Sequence, residues 1–272
     1  MSTEQLTKVP FVKKVNIITS NFFVPKIDCY FAENKKEIKA AQRLRYKVFF
    51  SERDRKIISL KYFKKDSDRY DQYADHLIVT HRNCKLYKIK VIGNYRLLNS
   101  KSAKYCGFYS KEEFDIDKML KSHSNENLLE LSRSCIHKNF RKKNVLQYMW
   151  KKIHHYILDH NIDVLFGMAS FLNEKPEEIK TELTYLYKKF LMDETIKVKA
   201  LDKYKINMNI ADLNNVSELS IVKNLPTLVK AYLRLGAKIG DGAVTDNIVK
   251  TTDIFVYLPY KNISKTDLKK FI

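Results

Sequence analysis

The side chains with the most chemical content fall in four short segments. The stretch from Leu129 to His137 reads as a strand that carries Glu130 and Arg133, a carboxylate and a guanidinium three residues apart. Strict alternation places Glu130, Ser132 and Ser134 on one face and Arg133 with Cys135 on the other. Bringing Glu130 and Arg133 together therefore requires a bulge, and the two make either one buried ion pair or two separate site residues. Cys135 and His137 stand two apart, but a small buried Cys is commoner than a Cys–His nucleophile. Arg96 lies inside the apolar run Gly93–Leu98, where a charge is costly unless it is paired, so it reads as a residue with a specific role. Asp66, Asp68, Asp71 and Asp75, followed by His76, form a carboxylate cluster able to hold a cationic substrate or a hard metal. Its spacing lacks the central Gly of a calcium loop, and a solvated acidic loop has the same pattern. Arg45 with Phe49 closes a helix; such an Arg ordinarily lies on the surface with its stem over apolar neighbours.

These segments need elements to position them. Apolar residues recur at helical spacing over 35–50, and residues 51–73 read as a long loop or fraying helix. β-branched runs predict strands at 76–80 and 88–98, with Gly93 as a bulge in the second. A strand at 128–136, a helix at 145–158 and a strand at 164–171 follow. A helix over 177–191 starts just after Pro176, a strand is expected at 197–210, a helix at 226–235 is closed by Gly236, and a last strand runs over 253–258. The interleaving indicates a mixed α/β fold. Residues 1–34 read as an arm and 35–272 as a single domain, with 173–225 as the candidate helical insertion.

Composition narrows the class. The chain has 272 residues, 51 Lys and Arg against 31 Asp and Glu, and a net charge of +20. A 44% apolar and 12% aromatic content excludes disorder as the overall description, and 6 Gly with 5 Pro exclude collagenous sequence. A positive field invites nucleic acid, an anionic membrane surface or an acidic protein. Of the 51 basic residues 41 are Lys, scattered and without a nucleic-acid motif, so no nucleic-acid partner is expected and coding bias accounts for much of the excess. Four dispersed Cys give neither a disulfide framework nor a metal site. A polar start and no apolar window of about 18 residues point to a cytoplasmic protein, with peripheral contact on the inner face of the membrane left open.

Taken together, several segments resemble the ornithine N-acyltransferases of bacterial ornithine-lipid synthesis. They are Arg45-Tyr-Lys-Val-Phe49, Asp75-His76-Leu77, Ile92-Gly93-Asn-Tyr-Arg96-Leu-Leu98, Gly107-Phe108-Tyr109-Ser110, Glu113-Phe-Asp115, Glu130-Leu-Ser132-Arg133-Ser-Cys-Ile-His137 and Met168-Ala-Ser170-Phe171. Leu225-Pro226-Thr-Leu228, Tyr232-Leu-Arg234-Leu-Gly236-Ala237, Gly240-Asp-Gly242-Ala243 and Thr251-Thr-Asp253 extend the likeness over roughly 40–260. The resemblance implies a GNAT-like acyltransferase fold, a central mixed twisted sheet flanked by helices, related to acyl-homoserine-lactone synthases. It implies transfer of a 3-hydroxyacyl group from acyl carrier protein to the α-amine of L-ornithine. The co-substrate would be the acyl-phosphopantetheine of that carrier, with no tightly bound cofactor and no metal. On this reading Glu130 is the candidate general base, acting with Ser132 and Arg133, and an irregularity in its strand supplies oxyanion donors. Arg45 and Phe49 shape the acceptor side, Arg96 and Arg133 pair with acidic site residues or the substrate carboxylate, Asp68, Asp71 or Asp75 holds the δ-ammonium, and His76 and Phe108 are further substrate-binding candidates. Coenzyme-A-dependent relatives carry Arg/Gln-x-x-Gly-x-Gly/Ala before the next helix; here Arg141-Lys-Lys-Asn144-Val-Leu146 lacks both small residues. Lys138, Arg141, Lys142 and Lys143 remain as a basic cluster that either docks an acidic carrier protein or is a solvated loop. A different amine acceptor, such as glycine, lysine or a polyamine, and a lactone synthase stay as alternatives.

Overall fold

The first well-formed helix shows how local chemistry starts the fold. In a computed structural model describing residues 27–53, 64–83, 88–142, 144–173, 175–264 and 266, α1 spans Lys35–Phe49. Asn34 caps it, its side chain accepting the amides of Lys36 at 3.0 Å and Glu37 at 3.1 Å. Ala41, Leu44, Arg45 and Val48 are buried, the i, i+3, i+4, i+7 stripe expected of a helix laid on a sheet.

That sheet has ten strands among the described residues, in the order β1-β2-β3-β5-β6-β10-β9-β7-β4, with β8 paired to β9. The strands are β1 Ile27–Phe31, β2 Asp75–Asn83, β3 Lys88–Asn99, β4 Phe114–Asp115 and β5 Leu128–Ile136. Then come β6 Val164–Phe171, β7 Lys199–Ala200, β8 Lys205–Ile206, β9 Lys238–Asp246 and β10 Thr251–Pro259. Neighbours are antiparallel except β5 with β6 and the single β7–β9 pairing. The further helices are α2 Ser100–Cys106, α3 Asp117–Ser122, α4 Val145–Asp159, α5 Lys180–Phe190, α6 Glu218–Asn224 and α7 Thr227–Arg234.

Alternation along the central strands divides the core between the two faces. Leu129, Leu131 and Leu165 meet Met149, Trp150 and Ile153 of α4. Leu128, Phe166 and Phe255 point the other way, toward Phe114, Ile116 and Met119. The expected strands and helices over 35–50, 76–80, 88–98, 128–136, 145–158, 164–171 and 253–258 are all present, several longer than expected. A bulge does lie beside Gly93: Val79 faces Gly93 while Thr80 faces Val91, leaving Ile92 as the extra residue.

Other expectations change. Ile27–Phe31, placed in the arm, is an edge strand on β2, so the domain begins earlier than residue 35; residues 1–26 lie outside the described residues. The long strand expected at 197–210 is two two-residue strands on β9. The strand β9 itself went unrecognised because Gly240 and Gly242 interrupt its apolar pattern. Both positions are tight: a Cβ at Gly240 would stand 3.0 Å from the Phe255 Cβ, and one at Gly242, where φ is 92°, 3.0 Å from the Ala200 Cβ. The candidate insertion at 173–225 is only partly helical, holding α5 and α6 with the short strands between them.

One junction matters most for function. β5 and β6 pair in parallel for only three residues, Leu128–Glu130 against Val164–Phe166, and then part although both strands continue. Gly167 sits at the parting, where a Cβ would lie 2.1 Å from the Leu131 carbonyl oxygen. Gly167→Ala is expected to force the strands apart and cost about 1–3 kcal/mol by overpacking, measured as a lowered urea midpoint at unchanged slope.

Candidate active site

Beyond the parting, β5 is irregular. Arg96 faces Ser132 and Asn94 faces Cys135, so two steps on β3 oppose three on β5. Arg133 takes up the extra residue in a left-handed conformation, φ 53°, and its carbonyl accepts the Asn94 side-chain amide at 3.0 Å. This bulge turns Arg133 onto the face that carries Glu130 and Ser132.

Three guanidiniums and three carboxylates then meet. Arg45 donates to Asp66 at 2.8 Å and to both oxygens of Asp71 at 2.7 and 3.1 Å. Arg96 donates to Ser132 Oγ at 2.9 Å and pairs with Asp68 at 2.5 Å and Asp71 at 3.1 Å. Arg133 pairs with Asp66 and Asp68, each at 3.2 Å, and donates to the Tyr109 hydroxyl at 3.0 Å. Arg45 and Arg96 are fully buried, so each charge depends on its partners. Burial alone would raise the carboxyls, yet Arg133 and Arg45 hold Asp66, and Arg45 and Arg96 hold Asp71, below the usual carboxylate value. The geometry of the short turn adds to this: Asp68 caps the 3-10 helix Arg69–Gln72, and Asp71 closes the box by accepting the Asp68 amide. His76 Nε2 lies 2.9 Å from the Asp71 carbonyl, and burial pushes the imidazole pKa down.

Glu130 is fully buried on the same strand. Its carboxylate accepts the amide of Tyr109 at 2.7 Å and both the amide (2.6 Å) and the hydroxyl (2.5 Å) of Ser110. It thus fastens the short 3-10 helix Tyr109–Glu112 to the sheet. Burial raises its pKa, and the three donors oppose the shift.

Where β5 and β6 diverge, a cavity of about 190 Å³ opens. Phe49, Tyr109, Ser132 and Arg133 line one side, and Met168 and Ser170 of β6 another. Asp246 at the end of β9, with Thr251 and Asp253 of β10, completes it. The void therefore has a guanidinium on one wall and two carboxylates on the opposite strands. Met168 also borders a smaller apolar pocket lined by Leu131, Gly167, Tyr232 and Val256.

An acetyltransferase (GNAT) domain family matches residues 44–151. The chain is 35% identical over 244 residues to the L-ornithine N(alpha)-acyltransferase of Brucella abortus, covering 89% of this chain and 87% of that protein. It is 33% identical to the enzyme of the same description from Rhizobium meliloti, covering 89% and 82%. The chain belongs to the L-ornithine N(alpha)-acyltransferase family. Among solved structures, an N-acyl amino acid synthase from uncultured soil microbes superposes with a TM-score of 0.48 at 12% identity, over 87% of this chain and 92% of that one. The mixed sheet and helices are the GNAT-like acyltransferase architecture that the motifs implied.

Within this family framework the expected site residues separate into three groups. Phe49, Ser132 and Arg133 line the cavity. Arg45, Asp68, Asp71, His76 and Arg96 do not: they form the buried network beneath it, since three guanidiniums neutralise the carboxylates expected to hold an ammonium. Arg45 is correspondingly no surface residue. Asp75 is exposed at the other end of the loop and accepts the Tyr156 hydroxyl at 2.7 Å. Phe108 packs edge-on against Phe166 at 4.9 Å, inside the core. Glu130 anchors a turn, with its carboxylate occupied by three donors, and stands outside the cavity lining. Cys135 is buried and its thiol is pushed up to about 12 by burial, which removes nucleophilic character. Lys138 and Lys142 are exposed, Arg141 donates to Glu52 at 2.6 Å, and Lys143 lies outside the described residues. Asp246 and Asp253 escaped the sequence reading. Asp253 stands within a shared motif, but with β9 unrecognised nothing indicated which face of the sheet it joined.

Asp71→Asn is expected to cost about 3–5 kcal/mol in urea unfolding, because buried Arg45 and Arg96 each lose one of their two charge partners and three guanidiniums are left against two carboxylates. Asp66 and Asp71 titrate below 3.8, so their contribution is complete above that pH and is lost as pH falls through their folded values. The wild-type melting temperature should drop on acidification below about pH 4 more steeply than that of the variant. Glu130→Gln puts an amide NH₂ among three donors and is expected to lose about 1–3 kcal/mol in the same assay.

Proposed function

We propose that the chain transfers a fatty acyl group from the phosphopantetheine thioester of acyl carrier protein to the α-amino group of L-ornithine. The observation that carries this reading is the polarity of the cavity. Ornithine presents one carboxylate and two ammonium groups, and the cavity offers Arg133, still 19% exposed at its side chain, facing Asp246 and Asp253. A guanidinium suits the carboxylate and the two acids suit the ammoniums. Glycine would leave one of those acids unmatched.

The thioester enters from the split between β5 and β6, and the amine attacks its carbonyl carbon directly. The bulge at Arg133 interrupts the one-to-one ladder with β3, so the amides of that segment are the candidate donors to the developing oxyanion.

The carrier's phosphate is seated at the N-terminus of α4 in this reading. Asn144 precedes that helix with φ 45° and ψ 15°, the left-handed conformation for which relatives use Gly, and no side chain caps the first turn. Open amides at a helix N-terminus attract phosphate, and exposed Lys138 and Lys142 lie in the preceding loop. Such a surface fits an acidic carrier protein.

Two measurements test the proposal. Expression in a host without ornithine lipids, followed by lipid mass spectrometry, should reveal a lyso-ornithine lipid; none appearing with an active acyl-carrier pool would sink it. With purified components, ornithine should outcompete glycine and lysine, and omission of S-adenosylmethionine should not matter. Lys138→Glu/Lys142→Glu should raise the KM for acyl carrier protein roughly tenfold while that for ornithine stays nearly constant.

A further inference from the structure

Asp253 brings to the cavity a buried carboxylate oxygen without a hydrogen-bond partner among the described residues. Asp253 is only 7% exposed, and the unpartnered oxygen is its Oδ1. It is held between Ser170 of β6 and Val244 of β9 by the strand pairing on either side. The charged groups that bear on it are Asp246 from β9, Arg133 from β5 and Glu113 from the turn before β4, while β6 contributes the neutral Ser170. Tyr109, whose hydroxyl is taken by Arg133, closes the same side.

The other acids near the cavity already have employment. Asp66, Asp68 and Asp71 neutralise guanidiniums, and Glu130 caps a turn. Asp246 Oδ1 accepts the amides of Ile248 at 2.7 Å and Val249 at 2.8 Å, fixing the β9–β10 turn. Glu113 does not line the cavity, and its Oε2 is buried without a hydrogen-bond partner among the described residues.

We propose that Asp253 is the base that removes the proton from the attacking ammonium of the acceptor. This rests on the amine-acylation reading above. One N–H bond of the ammonium breaks and its proton passes to an Asp253 oxygen. The freed nitrogen lone pair forms the C–N bond at the thioester carbonyl, and collapse of the tetrahedral intermediate breaks the C–S bond. The nitrogen of the intermediate gives up a second proton, the phosphopantetheine thiolate leaves with the C–S electron pair and takes up one of the two protons, and Asp253 returns the other to solvent, so amide, free thiol and one net proton are the products.

The electrostatics suit this role. Burial first, then Asp246, raises Asp253 to about 6, while the hydroxyls of Ser170 and Thr251 and the charge of Arg133 oppose the rise. Glu113 is raised further, to about 8, by burial and by Asp253 and Asp246. At neutral pH Glu113 therefore keeps its proton and Asp253 is ionised but readily protonated. Two neighbouring acids with separated affinities are the pattern expected where one of them moves a proton near neutrality.

The test is single-turnover acylation with preloaded acyl carrier protein, followed from pH 5 to 8 for ornithine, lysine and glycine. Wild type should lose rate tenfold per pH unit below about 6. Asp253→Asn should lower the acylation rate about 10²–10³-fold and abolish that limb, with the ornithine KM changed far less, and Asp253→Glu should recover part of the rate with the limb displaced. A raised KM at undiminished rate would make Asp253 an ammonium anchor and overturn the proposal, as would an unchanged limb in Asp253→Asn. If Asp253→Asn fails to fold, absence of the limb from wild type, or an undisplaced limb in Asp253→Glu, overturns it instead. Acylation of lysine or glycine but not ornithine would overturn the acceptor assignment while the base is still scored on the amine used; no acylation of any amine overturns both.

Discussion

Three arginines share three aspartates beneath the cavity, and the arrangement of the site follows from their mutual neutralisation. Arg45 comes from α1, Arg96 from β3 and Arg133 from β5, while Asp66, Asp68 and Asp71 lie on one short stretch of chain. None of the buried charges is tolerable alone, so the helix, both strands and the acidic turn are held in one relative position. The bulge at Arg133 is part of the same constraint: without the extra residue its guanidinium would face the opposite side of the sheet, and Asp66 and Asp68 would each keep only one of their two arginine partners.

This arrangement frees the cavity from doing structural work. Its floor is already neutral, with three positive charges set against three negative ones, so the charges left facing the void act on a ligand. Arg133 is the link between the two, paired below and still accessible above. Asp246 and Asp253 arrive from the far side of the split on β9 and β10, whose antiparallel pairing places them near one turn. The parting of β5 and β6 after three paired residues gives a ligand access to both walls at once.

The positive charge of the whole molecule has a different origin from the charge of the site. The network is neutral and the cavity carries more acid than base on its β9–β10 side, so the surplus of +20 resides elsewhere. Part of it, at Lys138 and Lys142, precedes the open N-terminus of α4. For the remainder the Lys-rich composition is a sufficient account, and no helix among the described residues is long and apolar enough to cross a membrane.

Much of the scaffold was legible from local pattern. The strand Leu128–Ile136, the strand Val164–Phe171 and the helix Lys35–Phe49 follow from periodicity, and the motifs identified the family, because both depend on neighbours in sequence. The need for a bulge between Glu130 and Arg133 was also readable, since alternation is strict. What those residues touch was not. Glu130 resembled a base until Tyr109 and Ser110 were found to occupy its oxygens, and the acidic run 66–75 resembled an ammonium site until three arginines were found within it. Asp253, more than 100 residues from Arg133 in the chain, reaches the same cavity only through the order of strands in the sheet. Sequence spacing determines which side chains share a face of one element. Which charges neutralise each other, and which remain for a substrate, depends on contacts between elements distant in the chain, and only the folded structure decided that.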